Sequence, residues 1–471
     1  MKQVVISTPQ FWVIDAIDEC IKYSELITLL KSIHSHFPLR VFMTSRKLPD
    51  IPRLLRTLDS CEVSTVEIPE HDTTKDIELY VQSRIADLPV DEDEEREELA
   101  RQILAKSGTS FLWVRMVMDE LEGVYGYDSI TQVLQGIPEG MFPYYARAVA
   151  EMGENKREQH VAKAILLWVM LATRPLTISE LSHALQLDIN VHLPSAKAAV
   201  EGLCGQLISV DVRTALVQPL HATAREFILS EEAGEFQVHK ASGHERIALT
   251  CLRLLVGSDM QPPRHRRLLL QKRSTPAKSV LTDYAITQFS EHVVSASTES
   301  DQLLRALDKF FRSTVLTWIE KVVHEKEISR LIRAARNFKA YLDRRAKYQS
   351  PLNRHVSTIE AWSIDLTRIV SSFSRALVRS PNSIYFLIPP LCPTRSAIYQ
   401  EFGKSTDGLT LSGYRRSEWS DCVASIRFED ETAAAIGCGN RLIAIGMESG
   451  ALRMYNSRSY QQEKAFFIDF P

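Results

Sequence analysis

The stretch Phe11-Trp-Val-Ile-Asp-Ala-Ile-Asp-Glu-Cys20 constrains the fold more than any other. Four apolar residues run into Asp15, and Asp18 and Glu19 follow closely. A short apolar run between polar flanks predicts a buried strand of a parallel sheet. Such strands place ligand sites outside their carboxyl ends. A carboxylate there can hold Mg²⁺, and a second acid beside it can orient or deprotonate a water. The plainer reading of the same residues is a core strand that ends in a solvated acidic turn. Pro38-Leu-Arg-Val-Phe-Met-Thr-Ser-Arg46 is a second apolar run, ending in Thr44, Ser45 and Arg46. With a helix over roughly Tyr23 to His36 between them, the two runs predict one βαβ unit. Hydroxyls and a guanidinium at the end of the neighbouring strand suit a sensor for a terminal phosphate.

Asp15-Ala-Ile-Asp-Glu-Cys20 and Thr44-Ser-Arg46, at this separation, resemble the Walker B and sensor motifs of NACHT-type STAND NTPases. The resemblance is in particular to the fungal proteins related to heterokaryon-incompatibility factors. The resemblance implies Mg²⁺ with ATP or GTP as cofactors of the parent family. It implies Asp15 as the Mg²⁺ ligand, Asp18 or Glu19 as the catalytic acid that positions water, and Thr44, Ser45 and Arg46 as nucleotide-binding residues. A P-loop, G-x-x-x-x-G-K-[ST], precedes these motifs in the family, and its backbone N–H groups and Lys cradle the phosphates. None occurs in these residues. Gly403-Lys404-Ser405 has a P-loop's ending, but Ile398 stands where the first Gly belongs, and Asp407-Gly408 behind it reads as a turn. The expectation is a truncated or degenerate NTPase that neither binds nor hydrolyses nucleotide by itself.

A chain of 471 residues is expected to hold two to four domains. A net charge of −3 offers no argument for nucleic acid or for an acidic partner. The seven cysteines show no C-x-x-C and no Cys/His ligand spacing, so no zinc site is expected, and the scattered set fits reduced thiols of a cytoplasmic chain. The start lacks a signal-peptide cleavage site. The longest apolar run, near Ala164–Ala172, is too short to span a bilayer, so no membrane association is expected.

Val63-Ser-Thr-Val-Glu-Ile68 alternates and predicts a third strand, followed by a helix from Asp76 to Ala86 capped by Thr73 or Thr74. Asp91 to Ala105 reads as a charged amphipathic helix. Gly108 can stop it, and Ser110 can cap the next helix, whose stripe of Phe111, Leu112, Val114, Met118 and Leu121 reads as core. Arg174-Pro-Leu-Thr-Ile-Ser-Glu-Leu starts a helix from Thr177 with Glu180 at the capping-box position. A hairpin over 204–212 and 215–221 completes a winged-helix pattern. Its second helix, Ile178 to Leu187, has no Arg or Lys, which argues against DNA. In the family this module is a lid on the nucleotide. His221, in Leu-His-Ala-Thr-Ala-Arg-Glu-Phe, resembles the winged-helix His that touches the nucleotide phosphates; the alternative is a His that caps the following helix.

From about His239 to Lys347 the sets Ala248/Leu252/Leu255, Leu303/Leu307/Phe310 and Leu331/Ala334/Phe338 have helical spacing. Short basic patches at 264–267 and 344–347 read as solvated helix faces. Tyr284 to His292 resembles a "Y-A-x-x-x-W-x-x-H" helix of the fungal group, with Phe289 for Trp. Pro381 to Ser396 resembles its "S-P-x-x-I-Y-x-x-I-P-P-F-C-P" segment, read as a linker before a WD-repeat propeller. Strands are expected at Trp419–Phe428, Arg441–Gly446 and Ala451–Tyr455. One blade cannot close a propeller, so the far end too is expected to be cut short or decayed.

The fold class expected is multidomain and mostly α. It comprises the C-terminal part of an α/β P-loop NTPase domain (1–90), a helical domain (91–155), a winged helix (156–235), a helical arm (236–378), a proline-rich linker (379–415) and the first blade of a β-propeller (416–471). The resemblance implies a signalling switch in non-self recognition or cell death, with protein partners on the arm and the WD-repeat region and a homo-oligomeric active state. A nucleotide-independent interaction scaffold is the alternative.

Overall fold

The structure, a computed structural model, describes residues 8–20, 23–34, 38–46, 50–56, 63–88, 90, 92–261, 280–350, 352–404, 409, 411–413, 415–420, 426, 428, 431–439, 442–457, 460 and 462–467. The chain divides into two units, Met1–Tyr144 and Tyr145–Pro471.

In the first unit, β1 (Gln10–Ile14) and β2 (Leu39–Met43) pair in parallel, with Gln10 opposite Leu39 and Ile14 opposite Met43. Helix α1 (Tyr23–His34) makes the crossover, so the βαβ unit is present. Its core is Ile17, Ile27 and Ile51 of α2 (Asp50–Arg56), with Ile14 and Met43 against them. The expected burial of β1 is not found. Phe11 is 72% exposed, Val13 75% and Phe42 64%. β2 alternates as a half-buried strand does, with Arg40 and Phe42 exposed, whereas Phe11, Trp12 and Val13 of β1 are all exposed. The third strand predicted over Val63–Ile68 is absent: these residues have no regular structure, are exposed and join no ladder among the described residues.

Helix α3 runs over Glu70–Arg84 and begins earlier than predicted. Pro69 is its N-cap, and Thr73 and Thr74 lie inside it, because acidic residues after Pro69 favour a helix start. Helix α4 (Asp93–Ser107) ends at Gly108, whose φ of 54° suits glycine. Ser110 caps α5 (Phe111–Leu121) by accepting from Trp113 N–H at 3.2 Å. Val114, Met118 and Leu121 are core as predicted, with Trp113 and Val117, whereas Phe111 is exposed. Lys106 Nζ caps the end of α6 (Tyr127–Gly136), donating to the carbonyls of Leu134 at 2.8 Å, Gln135 at 3.2 Å and Ile137 at 2.9 Å. The unit boundary falls inside α7 (Met141–Glu154).

The second unit opens with the winged helix: α8 (Gln159–Leu171), β3 (Leu176–Thr177), α9 (Ile178–Ile189), α10 (Ala196–Cys204), β4 (Ile208–Val210), β5 (Leu216–Pro219) and α11 (Ala222–Leu229). The sheet order is β3-β5-β4, antiparallel. Thr177 and Glu180 form the predicted capping box. Helix α10 is an addition to the sequence reading. Its one basic residue, Lys197, lies 3.6 Å from Glu201.

The arm follows as α12 (Lys240–Leu255), α13 (Thr282–Ser295), α14 (Asp301–Ser313), α15 (Val315–His324), α16 (Ser329–Arg345) and α17 (Arg354–Arg379). All three predicted apolar sets are buried. Phe289 packs edge-on against Phe310 and Trp318, with centroids 5.4 and 5.5 Å away, and Phe311 stacks on Trp362 at 5.4 Å. The basic patch at 344–347 is not simply solvated: Arg345 is buried and donates to Asp301 at 2.5 Å. The patch at 264–267 lies outside the described residues.

The stretch read as a linker is packed. It forms α18 (Ser383–Phe386), α19 (Ile388–Leu391) and α20 (Ala397–Phe402). Pro389 sits in the first turn of α19, where no intrahelical N–H is required. Two buried carboxylates anchor the segment. Glu320 of α15 accepts from Tyr385 Oη at 2.7 Å. Asp365 of α17 accepts from Ile398 N–H at 2.9 Å and Trp419 Nε1 at 2.7 Å. Trp419 therefore serves α17, and most of the strand expected over Trp419–Phe428 lies outside the described residues.

The last element is a four-stranded antiparallel sheet in sequence order, β6 (Ala433–Cys438), β7 (Leu442–Met447), β8 (Ala451–Asn456) and β9 (Gln462–Phe467). β7 and β8 match predicted strands; β6 and β9 are new. Ile445, Met447, Ala451 and Tyr455 form its core, while β6 is exposed along its whole length. The described residues form no closed barrel or propeller.

Candidate functional site

The ends of β1 and β2 are tied together. Thr44 N–H donates to Ile14 O at 3.0 Å, and Ile17 N–H donates to Thr44 O at 2.9 Å. Between them Ala16 adopts φ 48°, ψ 53°, a left-handed conformation disfavoured for a residue with a Cβ. Its N–H is held by Thr44 Oγ1 at 2.8 Å. The same hydroxyl donates to Asp15 Oδ1. Thr44 thus orients Asp15, an exposed carboxylate at the carboxyl end of the parallel pair.

Asp18 lies on the 3-10 turn Ile17–Glu19 that follows. Arg46 Nε donates to its Oδ2 at 2.6 Å and Arg46 N–H to its Oδ1 at 3.1 Å. The Asp18 side chain is 2% exposed. Burial pushes its carboxyl up, and the hydrogen bonds and charge of Arg46 outweigh that and hold it below its ordinary value. Asp18 is therefore ionised and committed to Arg46. Ser45 is exposed and donates to Arg46 O at 2.7 Å. Glu19 closes the turn, one residue beyond Asp18. The structure thus brings Asp15, Asp18, Thr44, Ser45 and Arg46 into one place, with Glu19 next to Asp18 in the chain. The Asp18–Arg46 pair, 28 residues apart, was not foreseen.

Asp15 fits a hydrated divalent cation. Hard cations take oxygen ligands, and Mg²⁺ commonly keeps several waters and meets the protein through one or two carboxylates. No group of three or more His, Cys, Asp and Glu that could cage a metal occurs among the described residues. A cation at Asp15 would be completed by phosphate oxygens and water.

His221 belongs to the second unit, at the N-cap of α11. Its Nδ1 accepts from Thr223 N–H at 3.2 Å, so the capping role is real. Thr223 Oγ1 lies 3.0 Å from the same nitrogen and 3.0 Å from Tyr145 Oη. An Nδ1 that accepts leaves the neutral ring's proton on Nε2, as a donor. Sequence reading missed Tyr145 and Thr223; the Thr two residues after the His was the available signal. Gly403 ends α20, and Lys404 Nζ donates to Gln400 at 2.8 Å, an ordinary helix end.

Comparison with known proteins gives three matches. A family model described as "Nephrocystin 3, N-terminal" matches residues 1–46, which hold the β1–β2 site. One described as "GPI inositol-deacylase, winged helix domain" matches residues 149–239. The chain is 21% identical over 488 aligned positions to the vegetative incompatibility protein HET-E-1 of Podospora anserina. That alignment takes in 95% of this chain and 35% of the relative, so the chain spans about a third of its length. No described helix is long and apolar enough to cross a membrane.

Proposed function

We propose that the chain is the regulatory part of a NACHT-type STAND switch acting in the cytoplasm in non-self recognition or cell death. The observation that carries this reading is the paired strand ends, with Asp15 held by Thr44 and Asp18 held by Arg46. The similarity to a vegetative incompatibility protein supports the biological setting.

In this reading Asp15 holds Mg²⁺ on ATP or GTP. Glu19 positions the water, because Asp18 is occupied in holding Arg46. Thr44, Ser45 and Arg46 sense the terminal phosphate, and the Nε2–H of His221 donates to a phosphate oxygen when the winged helix closes. The sheet β6–β9 is a first WD-repeat-like blade. With the arm it takes protein partners, and release of the lid allows a homo-oligomer to form. Nucleic acid has no part in it. These residues contain no P-loop, so they alone do not hold nucleotide.

A second reading, a nucleotide-independent scaffold, is favoured by one feature: the phosphate sensor Arg46 is already satisfied by Asp18. Mapping the 5′ end of the transcript and titrating Mg²⁺ with fluorescent ATP and GTP analogues separates the two. The switch reading expects an in-frame upstream P-loop and binding by that longer product that Asp15→Asn weakens. A transcript opening at Met1, with no nucleotide response, leaves the scaffold.

A further inference from the structure

The arm helices α12 and α13 enclose two histidines and a tyrosine that the nucleotide reading does not use. His244 Nδ1 lies 2.8 Å from His292 Nδ1, and His292 Nε2 lies 2.8 Å from Tyr284 Oη. Tyr284 Oη accepts from the backbone N–H of Thr173, in the α8–β3 loop of the winged helix, at 3.2 Å. His292 and Tyr284 are fully buried.

The proton positions follow. A backbone N–H only donates, so Tyr284 Oη is an acceptor toward Thr173. Its own proton has two candidate acceptors, His292 Nε2 at 2.8 Å and Thr173 Oγ1 at 3.5 Å, and the shorter contact takes it. His292 Nε2 is then an acceptor, which puts that ring's proton on Nδ1. Nδ1–H donates to His244 Nδ1, and His244 carries its proton on Nε2. Every link runs one way, from the winged helix through α13 to α12.

We propose that Thr173, Tyr284, His292 and His244 form a latch that holds the winged helix to α12 and α13 in one register, and that one proton arriving at His244 opens it. A proton from solvent on His244 Nδ1 sets two N–H donors face to face across 2.8 Å. The chain can be rebuilt only backwards, with Tyr284 donating to Thr173 Oγ1 across 3.5 Å, where little bond remains. The surroundings oppose that proton. His244 meets Arg225 of α11, Lys240 of its own helix and His292 of α13; Tyr284 meets Arg174 of the loop and Cys251 of α12, and Arg174 in turn meets Glu180 of α9 and Asp283 of α13. Burial first, then Arg225 and Lys240, hold His244 down at about 4, and burial and His244 hold His292 down at about 3. The latch is shut at neutral pH and yields only to acid.

The test is NMR on the full chain labelled with ¹⁵N-histidine, titrated downward from neutral pH, with amide exchange at Thr173. At neutral pH His292 is expected protonated on Nδ1 and His244 on Nε2. Both rings then move in one transition, and Thr173 loses about tenfold in exchange protection with it. His244→Gln keeps an acceptor without a titrating group, so it retains protection and loses the transition; Tyr284→Phe loses about tenfold at neutral pH. Equal tautomers in the two rings, or a His244 transition that leaves His292 and Thr173 unmoved, overturns the latch. The wild-type titration decides even if a variant does not fold.

Discussion

Thr44 Oγ1 accepts from Ala16 N–H and donates to Asp15, so one hydroxyl both pays for a left-handed alanine and aims a carboxylate. Thr44→Val keeps the shape and removes both bonds. In a P-loop-bearing product it is expected to lower Mg-nucleotide affinity about 10- to 100-fold, the usual loss when a metal ligand's own partner is removed. A fluorescent-nucleotide titration at fixed Mg²⁺ reads this, and unchanged affinity would separate Thr44 from any metal role. His221 gives a second test at this scale. As an N-cap, its replacement by Ala should cost about 1 kcal/mol in urea unfolding, and His221→Asn should restore most of that. Of the predicted site residues, those on β1 and its turn were legible because an apolar run into acids is a local signal. The Asp18–Arg46 pair was not, since it depends on which turn side chains the β1–β2 register brings together.

Among the elements, α6 depends on a side chain from α4. Lys106→Met removes the donor to three carbonyls at a helix end and should cost about 1–3 kcal/mol, with raised amide exchange over the last turn of α6. Asp365 is the corresponding anchor for α20 and Trp419. Burial is the larger influence on it and raises its carboxyl to about 6, although Ile398 N–H, Trp419 Nε1 and Ala397 N–H pull the other way. Its folded value lies above its unfolded one, so the native state holds the extra proton, and this contribution is lost as pH rises from about 4 through about 6. Asp365→Asn should flatten that part of the urea-midpoint profile. An unchanged slope would show that Asp365 does not titrate there. The capping box and the βαβ unit could be read locally. The folded state of residues 383–402 could not, because Pro-rich sequence reads as extended until Glu320 and Asp365, distant in the chain, supply acceptors for its Tyr and its backbone.

For the whole molecule, opposing titrations meet in the second unit. His244 and His292 are held below their ordinary value of 6.5, so their neutral forms favour the fold above that pH and the benefit fades as pH falls toward about 4 and about 3. Each group contributes about 1.4 kcal/mol per pH unit within its window. Two histidines against one Asp365 leave acidification destabilising, by about 1 kcal/mol per unit between roughly pH 6 and 4 from these three groups. Urea midpoints at both pH values check the sign. The strand Ala433-Ala-Ala-Ile-Gly-Cys438 has a separate consequence. It is exposed, carries no Lys or Pro, and shows Ile436 at 69% exposure on an edge with no partner among the described residues. Such a strand is a template for fibril growth. Concentrated stocks should age with a lag that preformed seeds shorten, and Ile436→Lys should lengthen the shelf life of the purified chain.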